Sequence, residues 1–366
     1  MSWLWSFLPA FLLQTFHPQL ATNHNTVVLA PRVLIVNFFA TEAAAWYNLP
    51  NLDLLAQNIT LPGLSPLFPQ VHCTNNGFIC QVITGQAEIN AATTITALVA
   101  SPQFNLRSTY FVLSGIGGVS PEYATVGSVT LARFAVQVGL QHEIDAREKP
   151  ADFPSGYFPQ GAARPGVYPG WIDGTEVFEV NDALRRVAAD LAGRGNLEDT
   201  EPVRDLRAPY AATPGFAKGA GPPSIELCDT LTSDTFWSGR LLAAAFEDYT
   251  RVITSGKAVP CSTQQEDNAV LAALLRRALD KTVNFARIVV IRAGSDFDRQ
   301  YTGGNAADNL LEPMVGLPLA VLNLRIATLE VVNGIVDGWD ATFEQGIEPT
   351  NYIGDILGSL GSKPDF

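Results

Sequence analysis

The chain has 366 residues, of which 47% are hydrophobic and 16% are charged. This supplies enough apolar material for one large α/β domain or two smaller ones. Lysines and arginines number 23 against 36 aspartates and glutamates, which gives a formal net charge of −13. Because an acidic surface repels phosphates, we expect no nucleic-acid partner.

The N-terminal residues 1–21 have no charged side chain and include the apolar run Trp3–Leu13. This run is too short for a membrane span, which needs about 20 apolar residues, but it suits the apolar region of a secretory signal. We therefore predict a signal peptide over 1–21 and an exported, soluble domain over 22–366. The alternative is a buried N-terminal helix. We expect no membrane span in the rest of the chain.

The four cysteines suit an exported protein, because disulfides persist in oxidising compartments. An Asn-Gly dipeptide, which is a strong hairpin signal, lies between the first two cysteines, and paired strands there would bring their sulfurs together. Four cysteines allow three connectivities, and we expect the disulfides Cys73–Cys80 and Cys228–Cys261. Asn58 begins a glycosylation sequon, which matters only if the chain is exported.

Strand-like and helix-like segments alternate along the chain. Strands are expected at 31–37, 78–84, 110–113, 126–138 and 286–292, and helices at 41–46, 91–100, 181–193, 241–246, 267–281 and 319–336. Thr41 is the candidate cap of the first helix, and either Asn181 or Asp182 caps the helix at 181–193. Pro- and Gly-rich stretches near 150–174 and 199–223 predict irregular insertions. The alternation predicts an α/β class with a mixed, mostly parallel sheet.

A Gly-rich segment, Ser114–Gly118, follows the third predicted strand. Glycines there would let the backbone approach a ligand, although the segment lacks the spacing of a dinucleotide fingerprint and an ordinary turn explains it as well. Three carboxylates, Glu42, Glu266 and Asp296, follow strands or begin helices, where ligands bind in open α/β sheets. Acidic residues also favour helix N-termini for structural reasons. The pattern therefore predicts a ligand site without specifying its chemistry.

Phe236 and Trp237 form an aromatic pair that could stack on a planar base or sugar, or pack in the core. His72 adjoins a cysteine, and His142 has no second histidine or cysteine nearby in the sequence. We therefore expect no metal site and no cofactor. The Gly-x-Ser-x-Gly motif is absent from the sequence, so a serine-hydrolase nucleophile has no support.

The order of these motifs resembles the purine nucleoside permease family and, beneath it, the nucleoside phosphorylase and nucleosidase superfamily. Segments across 31–298 carry the resemblance, namely Arg32–Glu42, Thr84–Ala91, Ser114–Pro121, Val126–Val129, Ser233–Trp237, Gln264–Asp267 and Ile291–Asp296. The resemblance implies a three-layer α/β/α nucleoside phosphorylase-like fold. It also implies a purine nucleoside substrate and a homo-oligomer that shares pocket residues between subunits.

The resemblance also implies roles for individual residues. Glu42 would activate the attacking water, Asp296 would protonate the purine, and Glu266 would hold the ribose hydroxyls. The remaining substrate contacts would come from Phe236, with Trp237 as its substitute, and from Gln265, Gly115, Ile116 and Gly117.

Two departures from the superfamily bear on the reaction. Leu113 and Ile116 stand where phosphorylases carry an arginine and a serine that bind phosphate, and two aliphatic side chains cannot hold a dianion. We therefore expect a secreted purine nucleosidase that hydrolyses the N-glycosidic bond to free base and ribose. The alternatives are a phosphate-dependent purine nucleoside phosphorylase and a non-catalytic nucleoside-binding protein that assists nucleoside uptake.

Overall fold

A computed structural model describes residues 28–311 and 313–366 of the chain. The predicted signal peptide, 1–21, lies outside the described residues. The helices are α1 (Ala40–Ala44), α2 (Glu88–Ala100), α3 (Asp182–Ala192), α4 (Glu201–Arg207), α5 (Arg240–Ile253), α6 (Asp267–Ala278), α7 (Ala306–Leu311) and α8 (Leu317–Asp337).

The described residues also form fifteen β-strands. They are β1 (Val33–Asn37), β2 (Gln57–Thr60), β3 (Gln70–Cys73), β4 (Ile79–Ile83), β5 (Tyr110–Val119), β6 (Val129–Ala132), β7 (Phe134–Gln137), β8 (Gln141–Glu143), β9 (Tyr157–Pro159), β10 (Val177–Glu179), β11 (Ile225–Leu227), β12 (Asp229–Thr232), β13 (Pro260–Gln264), β14 (Ile288–Phe297) and β15 (Gly354–Asp355).

The long strand β5 organises the sheet. Its first half pairs in parallel with β1, so that Val33–Val36 lie opposite Tyr110–Leu113. Its last two residues pair instead with β13, which runs antiparallel to it, while β14 follows β5 in parallel on the other side. The sheet thus exchanges β1 for β13 part-way along β5. The site described below lies at the point where β5 changes its partner strand.

Two helical layers cover the sheet, as the alternation of side chains along β1 shows. Leu34 and Val36 point into a core shared with α2 and α6, whereas Val33 and Ile35 point into a core shared with α3 and α8, because successive strand residues face opposite sides. Strands β4, β1, β5 and β14 are parallel, and antiparallel strands lie outside them. The predicted α/β/α class with a mixed sheet is confirmed.

Helix α8 has 21 residues, and an 18-residue stretch of it has a mean hydropathy of 1.6, which by length and composition alone would let it cross a membrane. The sequence analysis did not anticipate this helix, because it expected no membrane span after the N-terminal run. In the fold, α8 packs on β14, β5 and α3, and Leu324, Val331 and Ile335 are fully or almost fully buried in the core. Packing inside the protein therefore accounts for its apolar composition.

Three local predictions need correction. The Gly-rich segment Ser114–Gly118 is not a loop but part of β5. The stretch 199–223 contains a helix, α4, whose Pro202 lies in the first turn, where the missing N–H is harmless. Thr41 lies inside α1 rather than capping it. Asn181, by contrast, caps α3, because its side chain accepts a hydrogen bond from the backbone of Leu184.

Both predicted disulfides are confirmed. Cys73–Cys80 joins β3 to β4, and Cys228–Cys261 joins the residue between β11 and β12 to β13. Asn58 lies exposed on the outer strand β2. Its glycosylation stays a prediction.

Removing the second disulfide is expected to destabilise the protein more than removing the first. The bonds span 33 and 7 residues, and loop-closure entropy makes the longer one worth about 1.4 kcal/mol more. Denaturant unfolding of the two double-alanine variants, Cys73→Ala/Cys80→Ala and Cys228→Ala/Cys261→Ala, measures the difference. Equal losses of stability would contradict this expectation.

Candidate functional site

A pocket of about 270 Å³ opens where β5 leaves β1 and meets β13. It is lined by Phe38, Phe39, Glu42, Gln86, Ile116, Gly117, Gly118, Ser233, Thr235, Phe236, Trp237, Thr263, Gln264, Gln265, Glu266, Arg292, Ser295 and Met314. Seven of the predicted substrate and catalytic residues meet here, namely Glu42, Ile116, Gly117, Phe236, Trp237, Gln265 and Glu266. Gly115 and Asp296 do not line it.

Glu42 lies on α1, just beyond the end of β1, and is 1% exposed. Its Oε2 accepts a hydrogen bond from the backbone N–H of Phe38 at 2.7 Å, and its Oε1 accepts one from the N–H of Ile116 at 2.7 Å. Burial raises the pKa of Glu42 to about 8, although Arg292 and the two amides act in the opposite direction. Glu42 is therefore mostly protonated at neutral pH.

Arg292 of β14 forms hydrogen bonds to several protein groups at the floor of the pocket. Its Nη2 donates to Asp267 Oδ1 at 2.5 Å and to Glu266 Oε2 at 3.1 Å, and its Nη1 donates to the carbonyl of Ile116 at 2.9 Å. The guanidinium also lies over the ring of Phe38, 4.1 Å from the ring centre. The hydrogen bonds and the ring contact of Arg292 described here are therefore all made to groups of the protein itself.

Glu266 immediately precedes α6, and its carboxyl faces the pocket. Besides Arg292, the backbone N–H of Ala87 donates to its Oε1 at 3.2 Å. Burial raises the pKa of Glu266, while Arg292 opposes the rise. The turn before α2 is therefore tied directly to this carboxyl.

The glycines of β5 serve packing more than ligand approach. A methyl group on Gly117 would lie 2.1 Å from the carbonyl oxygen of Thr263, so β13 can approach β5 only because this side chain is absent. A methyl group on Gly115 would lie 2.6 Å from both Arg292 and Phe38. Gly115, predicted to bind substrate, instead makes room for these two side chains.

The aromatic pair is divided between the pocket and the core. Phe236 is 53% exposed at the pocket wall, whereas Trp237 is 9% exposed and packs edge-to-face on Phe246. Phe236 is therefore free to stack on a ligand. Gln86 and Gln265 belong to the same lining, and the side-chain amide of Gln265 donates a hydrogen bond to the carbonyl of Asp234 at 2.7 Å.

Asp296 lies beside the pocket rather than in its lining. Its Oδ1 accepts a hydrogen bond from the hydroxyl of Ser295 at 2.7 Å, and it is Ser295 that reaches the cavity. Loss of water around the carboxyl raises the pKa of Asp296 to about 6. The predicted proton donor is thus outside the lining and largely ionised at neutral pH.

Arg292 and Phe38 are the functional residues that the sequence analysis missed. A signal for the first was present, since Arg292 interrupts the apolar strand segment Ile288–Ala293. An arginine in a buried strand requires carboxylate partners. Phe38 gave no comparable signal, because a phenylalanine after a strand is ordinary in a core.

Comparison with known proteins identifies the family. Residues 30–348 match the model of the family described as purine nucleoside permease. The chain belongs to the purine nucleoside permease family. A purine nucleoside permease of Candida albicans is 40% identical over 357 residues, covering 96% of this chain and 86% of the relative. A probable purine nucleoside permease of Schizosaccharomyces pombe is 40% identical over 321 residues, covering 85% of this chain and 91% of the relative.

Solved structures similar to this family member have low sequence identity to it. A 5′-methylthioadenosine/S-adenosylhomocysteine nucleosidase from Neisseria meningitidis aligns with a TM-score of 0.48 and 14% identity, covering 82% of this chain and 98% of the other. Futalosine hydrolase of Helicobacter pylori aligns with a TM-score of 0.47 and 13% identity, covering 85% and 98%.

The prediction of a purine nucleosidase is wrong on these findings. The relatives that are 40% identical over most of the chain are named permeases, which is a name for transport. The geometry also differs from what that prediction assumed. Burial raises the pKa of Glu42 to about 8, so that the carboxyl is mostly protonated at neutral pH, and Asp296 lies outside the lining. The sequence predicted that these carboxyl groups lie near strand ends, but it did not predict whether they hold a proton.

Proposed function

We propose that this protein binds purine nucleosides and assists their uptake without cleaving them. One observation carries the proposal. The pocket sets an exposed aromatic ring, Phe236, among carboxyl and amide groups, while the one basic side chain in its described lining, Arg292, is already paired with acids. Such a site fits a ligand that is planar at one end, rich in hydroxyls at the other, and uncharged.

Each part of a nucleoside has a matching chemical group in the pocket. An aromatic ring stacks on a purine, and the amides of Gln86 and Gln265 carry both donors and acceptors, as the edge of a base does. The carboxyl of Glu266 accepts hydrogen bonds from sugar hydroxyls. These features support the proposed ligand class.

The lining argues against the phosphate-dependent alternative. Phosphate binding favours an unpaired arginine or lysine, and Arg292 directs its N–H groups to Asp267, Glu266 and Ile116. Leu113, at the position where phosphorylases carry arginine, is fully buried in the core. A phosphate dianion would therefore meet acids without a free counter-charge.

We also propose that the protein acts outside the cytoplasm and hands its ligand to a separate membrane protein. The disulfides support an oxidising compartment. Passage through a bilayer requires spanning segments that satisfy their backbone internally, and α8 is packed in the core of this fold. The predicted homo-oligomer stays a prediction.

Uptake by cells tests the physiological part of the proposal. Deleting the gene from its host is expected to lower the uptake of labelled purine nucleosides, and the wild-type gene is expected to restore it. Unchanged uptake in the deletion strain would contradict the proposed role.

Replacing Phe236 with alanine is expected to weaken nucleoside binding by about 0.5–1.5 kcal/mol, because the stacking surface is lost. The fold should be unaffected, since Phe236 is 53% exposed. Calorimetric titration with adenosine and inosine measures the change. Tyr168→Ala is the matched control, because Tyr168 is 47% exposed and lies outside the pocket lining. Equal binding by Phe236→Ala and wild type would remove the stacking role.

A further inference from the structure

Four charged side chains form one buried cluster under the pocket. Glu42, Glu266, Asp267 and Arg292 are each at most 4% exposed. With every group ionised, the cluster would hold three negative charges and one positive charge. Buried charges that lack a partner are costly enough that the group changes its protonation instead. One carboxyl of the cluster is therefore expected to hold a proton.

The hydrogen bonds identify which carboxyl that is. Arg292 donates from Nε and Nη2 to Asp267, from Nη2 to Glu266, and from Nη1 to the carbonyl of Ile116. Among the described residues, Glu42 receives its hydrogen bonds from backbone amides and not from this guanidinium. Glu42 is thus the member of the cluster without a counter-ion in contact.

We propose that the Glu42 carboxyl is a proton-binding site linked to ligand binding. A neutral nucleoside binds with this carboxyl protonated, so binding takes up one proton wherever the empty pocket has lost it. The inference rests on the proposed function, since it needs a neutral ligand that fills the pocket. It adds that occupancy of the site depends on external pH.

The surroundings of Glu42 support this linkage. Burial raises its pKa to about 8, Arg292 on β14 lowers it, and the Glu266 carboxylate raises it. Asp267 faces the same guanidinium from the start of α6, and α1 itself carries no other titratable group. A neutral ligand displaces the remaining water without adding positive charge, so it raises the pKa further. Protonation and ligand binding therefore favour each other.

Linkage sets the sign of the pH effect. Below about pH 7 the carboxyl is protonated with or without ligand, and affinity is constant with pH. Above about pH 8 the empty site has lost its proton, and affinity falls by up to about tenfold per pH unit. The ligand therefore binds better on the acidic side of a pH gradient.

Calorimetric titration with adenosine, in two buffers of different ionisation enthalpy, tests the proposal. At about pH 8 we expect the uptake of roughly half a proton per ligand, and at about pH 6 almost none. Identical heats in both buffers at pH 8, or proton release, would overturn the inference while leaving the proposed function standing. Absence of binding in every buffer would overturn both.

Two variants locate the proton. Glu42→Gln is expected to bind adenosine with no proton uptake at pH 8. The matched control is Glu88→Gln, because burial raises the pKa of Glu88 to about 7, yet Glu88 lies outside the pocket lining and bonds to Gln137. This control should keep the uptake. Uptake retained in Glu42→Gln, or lost in Glu88→Gln, would place the proton elsewhere.

A spectroscopic measurement on the wild-type protein covers the case in which Glu42→Gln does not fold. Infrared titration is expected to show the carbonyl band of a protonated carboxyl that disappears with a midpoint near pH 8. Addition of adenosine should move that midpoint to higher pH. A band that is absent at neutral pH, or a midpoint that does not move, would overturn the proposal.

Discussion

Replacing Arg292 with methionine is expected to lower the free energy of unfolding by roughly 3–5 kcal/mol at neutral pH. The change leaves Asp267 and Glu266 without their counter-ion at 0% and 4% exposure. It also removes the hydrogen bond to the carbonyl of Ile116 on β5. Denaturant unfolding monitored by circular dichroism measures the loss.

Two further variants separate charge from packing. Arg276→Met on the exposed face of α6 changes the same residue type and should stay within about 0.5 kcal/mol of wild type. Adding Glu266→Gln and Asp267→Asn to Arg292→Met should recover part of the loss, because the unpaired charges are then gone. A stability of Arg292→Met close to that of wild type would show that the cluster does not support the pocket.

The second large effect is a dependence of stability on pH that Glu42 imposes. Its pKa rises from an ordinary 4.5 to about 8 in the folded protein. Below the lower value both folded and unfolded chains are protonated, and the full contribution is present. As pH rises through this window only the unfolded chain loses the proton, so stability falls, by up to about 5 kcal/mol at alkaline pH.

Comparison with Glu42→Gln isolates this contribution from all other titrating groups. Urea unfolding of both proteins at several values between about pH 5 and pH 9 should show wild type losing stability relative to the variant as pH rises. Parallel stability curves would mean that Glu42 titrates alike in the folded and unfolded chains.

Much of the fold could be predicted because local patterns determine it. The cap at Asn181, the helix near 319–336 and the buried strand around Val33–Asn37 follow from side-chain preferences and periodicity. The course of β5 could not be predicted, since Gly117 allows the close approach of Thr263 on β13, which lies 146 residues further along the chain (263 − 117). A glycine placed for such a distant partner is indistinguishable from a turn glycine in the sequence.

The candidate site, like the fold, could be predicted only in part from the sequence. Glu42, Glu266 and Phe236 were predicted and do share one pocket, because they stand at ends of elements that the sheet brings together. Asp296 misses the lining by one residue, since Ser295 occupies the face of β14 that reaches the cavity. Arg292 was overlooked although it is the last residue of the strand predicted at 286–292; the observed strand β14 continues beyond it to Phe297.

The protonation state of Glu42 depends on its burial, which no spacing of residues in the sequence reveals. The resemblance implied that Glu42 acts as a general base. In the fold it is a buried carboxyl that accepts hydrogen bonds from the amides of Phe38 and Ile116.

The most direct test of the central claim is equilibrium dialysis of the purified full-length protein against labelled adenosine, followed by chromatography of everything recovered. We expect saturable binding that Phe236→Ala weakens, with the nucleoside recovered intact whether or not phosphate is present. Release of free adenine, with ribose or a ribose phosphate as the second product, would contradict the account, and so would a failure to bind the nucleoside.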